Sequence, residues 1–420
     1  MTLLRRVPAA EVRAMRRHGV DAPTLAAAAP IVEDVRLRGE VALREHAERL
    51  GDLKPGAPLM VERDGLANAF AALPKAQREL LERTADRIRS FALAQRGALG
   101  PLAVALPGGR AGHEVAPVER AGCYAPGGRF PLPSSVLMTA VTASAAGVKS
   151  IVVASPRPAP ATLAAAHIAG AEALLAAGGA QAIAALAYGV GPVPACDVIV
   201  GPGNRWVTAA KKLVAGQVGI DMLAGPSELV VLADQTADPG IVAADLLAQA
   251  EHDPDAMPVL VTTSSALADA VDAQLARQLE TLPTASTAGA SLKNGFAAIA
   301  RDLAEAAAAS NAVAPEHLEV MVADVEKVRP LLTHYGALFL GAASGEVLGD
   351  YGAGPNHVLP TGGTARFSAG LSVLHFLRVR TWLELEDSRG AAGIVSDAVE
   401  LARIEGLEAH ARAAERRRGK

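Results

Sequence analysis

Gln249 and His252 stand three residues apart in DPGIVAADLLAQAEHDPD (238–255), a segment that Asp238 and Pro239 open as a helix and Asp253-Pro254 closes. That spacing puts both side chains on one face near the helix end. They either ligate a metal there or complete a hydrogen-bonded helix terminus. Glu316 and His317 are adjacent in NAVAPEHLEVMV (311–322), just before a run that reads as a strand. Histidine is the side chain best poised for proton transfer near neutrality, so the couple reads as acid/base chemistry or as a surface pair of no consequence. Asp350 and His357 lie in GDYGAGPNHVLPTGGTARFSAGLSV (349–373), a Gly/Pro-rich loop after the strand GALFLG. Strand ends are where α/β proteins place their sites. Glu405 and His410, on a tail helix, look by themselves like ordinary exposed side chains. Together, Gln249, His252, Asp350 and His410 make a mixed nitrogen and oxygen set suited to zinc or a similar divalent ion. His317 and His357 join that site. His18, His46, His113, His167, His334 and His375 have no partner motif and read as solvated or core histidines.

Two further segments are shaped to receive a ligand. GCYAPGGRFPLPSSVLMTA (122–140) is a rigid turn between a strand and a helix, which Ser134 or Ser135 would cap. The helix N-terminal amides would favour an anion, although a purely structural turn fits equally well. VIVGPGNRWVTAAKKLV (198–214) runs strand, Gly-Pro-Gly-Asn, helix, so small residues let a ligand approach the backbone. No G-x-G-x-x-G follows a strand anywhere, so nucleotide binding stays open on this segment alone.

The elements that must position these groups show in the hydropathy rhythm. The first hundred residues read as amphipathic helices, among them TLAAAAPIVEDVRLRGEVALREHAERL and the charge-laced KAQRELLERTADRIRSFALAQ. From about residue 115, short apolar runs alternate with helices: 150–156, 196–203, 228–234, 258–264, 318–324 and 336–341 all look like buried strands. Such alternation predicts parallel sheets with helix-covered faces, and its length predicts two sheets. TLPTASTAGASLKNG (281–295) reads as a flexible surface loop, and beyond about residue 370 the strand signal fades into a helical tail.

Composition removes other classes. Half of the 420 residues are hydrophobic but only 13 are aromatic, so Ala, Leu and Val do the packing. With 40 basic against 44 acidic residues and a net charge of −4, nothing forces a nucleic-acid partner. The cysteines, Cys123 and Cys196, cannot build a disulfide scaffold, and a cytoplasmic setting is expected. The Arg-punctuated start lacks the apolar run of a signal peptide, and His, Glu and Gly-Gly interrupt ATLAAAHIAGAEALLAAGGAQAIAALAYG (161–189), so no membrane partner is expected.

These segments, in this order, resemble histidinol dehydrogenase. The likeness runs through GCYAPGGRFPLPSSVLMTA, GGAQAIAALAYG, GPGNRWVTAAKKLVAGQVGIDMLAGPSE, LLAQAEHDPDA, NAVAPEHLE, GDYGAGPNHVLPTGGTARFSAGLSV and EGLEAHARA, about residues 20 to 412. The resemblance implies a zinc-dependent oxidoreductase that takes L-histidinol through L-histidinal to L-histidine with NAD. It implies Gln249, His252, Asp350 and His410 as zinc ligands, and Glu316 and His317 as the acid/base pair. Ser227, His317, His357 and Glu405 would line the substrate pocket beside the zinc ligands, and Tyr124, Gln181 and Asn204 would contact NAD. His317 would take the alcohol proton and Glu316 would activate water on the aldehyde, a route that needs no thiol, so Cys123 and Cys196 are packing residues.

The implied fold is α/β, with two Rossmann-like parallel-sheet domains that lack G-x-G-x-x-G and small helical segments at both ends. The boundaries read as an N-terminal helical segment 1–15, a discontinuous first domain of 16–122 and 228–371 carrying the zinc and catalytic residues, a second domain 123–227 on the NAD side, and a dimerisation tail 372–420. The resemblance also implies a homodimer in which Glu405 and His410 serve the partner's site. Trp206, where Tyr or Phe is more usual, and His375, where an acidic residue is common, depart from the pattern and are expected to touch packing alone. Two other readings compete: a related zinc/NAD enzyme acting on another polar alcohol, such as a sulfonated diol, and, more remotely, a zinc hydrolase with Glu316 as base. The first conflicts with the retained Ser227, Glu316 and EGLEAH. The second lacks H-E-x-x-H and leaves the PGG and GPGN turns idle.

Overall fold

The computed structural model describes residues 2–12, 20–127 and 131–418. Three sheets organise the described residues. The first has the order β2 (Met60–Glu62), β7 (Ala173–Leu175), β6 (Ser150–Ala154), β5 (Arg120–Tyr124), β8 (Val198–Val200), β9 (Gly219–Ile220), all parallel except the edge strand β2. The second is wholly parallel, in the order β1 (Arg5–Pro8), β12 (Phe296–Ile299), β11 (Met257–Thr262), β10 (Glu228–Ala233), β13 (His317–Met321), β14 (Ala337–Leu340). Central strands such as ELVVLA and MPVLVT are buried along their whole length, which is why they read as unbroken apolar runs. The third is antiparallel: β15 (Leu377–Leu385), β4 (Gly109–Pro117), β3 (Leu102–Leu106).

The helices that matter for the site are α1 (Ala22–Arg38), α2 (Glu40–Arg49), α3 (Lys75–Gly97), α4 (Gly179–Tyr188), α5 (Arg205–Val214), α6 (Pro239–Ala250), α7 (Glu346–Asp350), α8 (Ala392–Ile404) and α9 (Glu408–Glu415). Alanine lets them pack closely. Ala28, Val32 and Val35 of α1 and Ala42, Leu43 and Ala47 of α2 share a core with Ala180, Ile183 and Leu186 of α4 and Val207 and Ala210 of α5. On the other side of the first sheet, Ala85, Ile88 and Ala92 of α3 bury against Met138 and Val141.

Residues 22–97 pack mainly on the first sheet: the apolar stripes of α1, α2 and α3 meet helices and strands between 120 and 222, and α3 also meets the 349–373 loop, where Arg87 donates to Gly352 O and Ile88 shares a core with Val358 and Leu371. Over its described residues the N-terminal segment is not the helical one expected. Arg5–Pro8 is an edge strand of the second sheet followed by a single 3-10 turn, held by buried Leu4, whose N–H donates to Asp272, and by the Arg6–Asp272 ion pair. His18 lies outside the described residues. The 281–295 stretch contains a helical turn, Ala285–Ser291, with Ser291 buried and donating to Ala256 O, so it is not a loose loop. The tail is not helical throughout either: LRVRTWLEL forms β15, paired along its whole length with β4. Among the described residues no helix is long and apolar enough to cross a membrane.

Candidate active site

The acid/base couple opens β13, where parallel pairing sets His317 beside Leu229 of β10 and Ala337 of β14. Glu316 is buried. Its Oε2 accepts from Ser227 Oγ (2.6 Å) and from the Glu228 N–H (3.0 Å). Burial pushes this carboxyl well above its usual range, against the pull of those two donors. His317 is buried too, with Nδ1 3.2 Å from the Glu228 carbonyl. Only a protonated Nδ1 can donate to that oxygen, which fixes the tautomer and leaves Nε2 as the free base. Burial holds the ring neutral, moving it down to about 3. Nε2 finds no hydrogen-bond partner among the described residues and lies 3.8 Å from Asp350 Oδ1.

Beside that lone pair, donors converge from two elements. His252, just past the end of α6, places Nε2 3.9 Å from Asp350 Oδ2. His252, Glu346 and Asp350 each offer a ligand atom, all within 4.8 Å of one another. One turn back on α6, Gln249 is fully buried and both its amide atoms lack a partner among the described residues. An amide left bare in a core costs on the order of 1–3 kcal/mol, so such an atom calls for a ligand. A neutral imidazole, an amide oxygen and carboxylates suit a divalent cation. Glu346 escaped the sequence reading. It sits four residues before Asp350, one helical turn, but GEVLGD looks like a solvated acidic patch in the sequence.

Asp350, largely desolvated, rises to about 6. Its carbonyl lies 3.0 Å from His357 Nδ1, and His357 Nε2 lies 3.4 Å from Ser135 Oγ. The 349–373 loop thereby ties the halves together. Asn356 donates to Met138 O on the first-sheet side, and Gly362 N–H donates to Glu228 on the second.

Tyr124, Gln181 and Asn204 share a separate cleft of about 540 Å³, which Asp52, Gly179 and Trp206 also line. Tyr124 ends β5 and its hydroxyl accepts from Gly179 N–H. Asp52, unforeseen from sequence, accepts from Gly178 N–H and Gln181 Nε2, both at 2.9 Å. Asn204 caps α5 by accepting from the N–H groups of Trp206 and Val207. Gly201 before it has φ +121°, and any Cβ there would lie 2.0 Å from Tyr124 O, so only glycine fits. A buried Lys211–Asp221 ion pair clamps this turn: Lys211 donates to Gly201 O and Asp221 accepts from Gly201 N–H. The sequence reading missed both. Trp206 lines the cleft instead of merely packing, and His375 accepts from Ser372 N–H in a capping box.

Glu405 and His410 are exposed on the tail, and neither joins the convergent donors within one chain.

The profile of histidinol dehydrogenase matches residues 15–418. The chain belongs to the histidinol dehydrogenase family. It is 47% identical over 397 residues to histidinol dehydrogenase of Parasynechococcus marenigrum, covering 92% of this chain and 89% of that one. It is 48% identical over 395 residues to histidinol dehydrogenase of Thermus thermophilus, covering 92% and 93%. The crystal structure of histidinol dehydrogenase from Elizabethkingia anophelis superposes with a TM-score of 0.92 at 32% identity, over 99% and 98% of the two chains. The resemblance seen in the motifs is thus borne out, and so is the α/β architecture with two parallel-sheet bodies.

Proposed function

We propose that this chain, an NAD-dependent oxidoreductase of the histidinol dehydrogenase family, oxidises L-histidinol to L-histidinal and then to L-histidine, with two NAD reduced. The observation that carries this reading is the His317 ring: buried, neutral, with Nε2 bare and facing the convergent donors. The relatives named above do not favour the sulfonated-diol and hydrolase readings.

The bare amide of Gln249 and the facing ligand atoms of His252 and Asp350 fit a divalent cation, with zinc the reading their chemistry favours. Gln249, His252 and Asp350 would hold it, and Glu346 faces the same space. His410 would come from the tail of a second copy, where Ile404 is 81% exposed and Leu401 58%, an apolar face fit for a partner. Bound there, zinc would supply a fixed positive charge for orienting the substrate's nitrogens. Tyr124, Gln181 and Asn204, which line one cleft, would hold NAD, whose chemistry would be to take up the hydride of each oxidation.

The proton work falls to the chain. In the first oxidation His317 Nε2 takes the hydroxyl proton while Nδ1–H stays anchored on the Glu228 carbonyl. In the second, water adds to the aldehyde. Glu316, raised by burial, is a stronger base once ionised than an exposed carboxylate, and it takes the proton that the water gives up. Ser227 and the Glu228 N–H aim it. His317 passes the first proton to the aldehyde oxygen as water adds, and the hydrate then gives a hydroxyl proton to the same Nε2. Cys123 and Cys196 are buried, and desolvation pushes both thiols well above their ordinary range, Cys196 to about 12, so neither serves as nucleophile. Two buried free thiols suit a cytoplasmic setting.

The test is stoichiometric. Purified protein with L-histidinol and NAD should yield two NADH per histidine, lose this on chelation and recover it with zinc. Turnover of another alcohol with no NADH from histidinol would overturn the substrate assignment.

A further inference from the structure

The cleft that Tyr124, Gln181 and Asn204 share holds a buried acceptor with nothing to accept from. Gln181 is 1% exposed, and its Oε1 has no hydrogen-bond partner among the described residues. Its Nε2 donates to Asp52 Oδ2 at 2.9 Å, and the same oxygen accepts from Gly178 N–H at 2.9 Å. An ionised carboxylate only accepts, so the end of the amide that faces Asp52 has to be the nitrogen. The oxygen is thereby turned the other way. Gly179, on the wall of the cleft, leaves room there, since a Cβ would come within 3.0 Å of Oε1. The start of α4 is spent on protein oxygens: Gly178 N–H goes to Asp52 and Gly179 N–H to the Tyr124 hydroxyl. Those amides are not available to a phosphate, for which Arg49 and Arg157 are the cations on this cleft.

We infer that Asp52 is a positioning residue that fixes the Gln181 amide with Oε1 toward the ligand, where it accepts from an amino group of the dinucleotide. An amino group of this kind only donates, so it is bound by one end of the amide and refused by the other. A hydroxyl donates or accepts, and either end of a freely turning amide would satisfy it. Holding the amide in one orientation therefore serves recognition of an amino group. NAD carries two, in its carboxamide and on its adenine ring. The inference rests on the NAD reading given above, to which it adds the polarity of the Gln181 contact and the residue that sets it.

Dissociation constants for the full-length protein, read from quenching of Trp206 on the wall of the same cleft, test it. The probes are NAD, nicotinamide hypoxanthine dinucleotide, which lacks the adenine amino group, and 3-acetylpyridine adenine dinucleotide, which lacks that of the carboxamide. Wild type should bind at least one analogue about tenfold or more weaker than NAD, because a buried acceptor is then left bare. Asp52→Ala frees the amide to turn, so NAD should weaken about tenfold while that analogue changes little, and the ratio should fall to about one. The analogue whose ratio collapses names the amino group. Asp52→Asn should keep the ratio within about threefold of wild type, because Gly178 N–H admits only the asparagine oxygen at that place, and this oxygen still accepts from Gln181 Nε2. Gln181→Met removes the acceptor and should also bring the ratio to about one, which keeps the test decisive if Asp52→Ala does not fold. No discrimination in wild type overturns the inference. So does a ratio that survives Asp52→Ala or Gln181→Met, which would leave Asp52 as support for the cleft wall and the NAD reading intact. A wild-type chain that does not bind NAD overturns that reading, and this inference with it.

Discussion

His317→Gln tests whether the base is held neutral by its surroundings. In water the imidazole protonates near 6.5, whereas burial moves His317 down to about 3. Between those values the unfolded chain binds a proton that the folded chain refuses. The stability tied to this group is therefore complete above about 6.5 and is lost as pH falls toward about 3. At pH 5, roughly 1.5 below the free value at about 1.36 kcal/mol each, the loss reaches about 2 kcal/mol. Glutamine can still donate to the Glu228 carbonyl but never titrates, so it removes the pH term and keeps the anchor. Urea unfolding of chelated protein at pH 7 and pH 5, on wild type and variant, reads the difference. Wild type should lose about 2 kcal/mol more than His317→Gln over that interval. Equal losses would refute the picture of a buried, neutral imidazole. The same variant should lose about 10²- to 10⁴-fold in kcat, the usual worth of a positioned base.

Three further outcomes follow from the site. Ser227→Ala removes one of the two donors that favour ionised Glu316, so the acid limb of the kcat–pH profile should move upward and kcat at neutrality fall about tenfold; an unmoved limb with a raised KM would make Ser227 a substrate contact alone. Asp52→Ala frees Gln181 and Gly178, and should raise the KM for NAD about tenfold while kcat stays near wild type. A fall in kcat with unchanged KM would separate Asp52 from the cofactor cleft. Inactive His410→Ala and His317→Ala copies, mixed at random, should recover about a quarter of wild-type activity if the tail crosses between subunits, since half the dimers are mixed and each carries one intact site; no recovery would place His410 outside the site.

Much of the site was legible because its chemistry follows local spacing. Gln249 and His252 share a helix face at a three-residue interval, and Glu316-His317 announces itself by adjacency. The buried strands were legible because both of their faces are covered, which leaves an unbroken apolar run. What stayed hidden lacks such a local signature. β4 and β15 keep one face in solvent, so GRAGHEVAP and LRVRTWLEL mix charge with apolar residues and look like loop and helical tail. The partner of an amphipathic helix is a tertiary choice, so nothing in α1 to α3 says which sheet they cover. Glu346 and Glu319 look solvated in sequence and are buried only because distant segments fold onto one point.

The two sheets present their candidate site residues from opposite edges. Ligands of α/β proteins commonly lie beyond the carboxyl ends of parallel strands, the reading given to Asp350 and His357 after GALFLG, whereas Glu316 and His317 read as preceding theirs. The first sheet obeys: Tyr124 closes β5, Gly178 and Gly179 follow β7, and Asn204 follows β8. The second sheet does the opposite. Ser227 and Glu228 precede or open β10 and Glu316 and His317 precede or open β13, so the acid/base pair sits at the amino ends of its strands. The connection explains this. Only residues 221–227 separate β9, the last strand of the first sheet in chain order, from β10, the next strand of the second sheet. Seven residues span at most about 25 Å, so the carboxyl edge of one sheet must face the amino edge of the other. The 349–373 loop then bridges the gap, from Asn356 on Met138 O to Gly362 on Glu228. The cleft proposed for NAD on one edge and the proposed proton-transfer pair on the other are thus opposed by chain connectivity. That is what an oxidation needs when hydride and proton leave the same carbinol group for different acceptors.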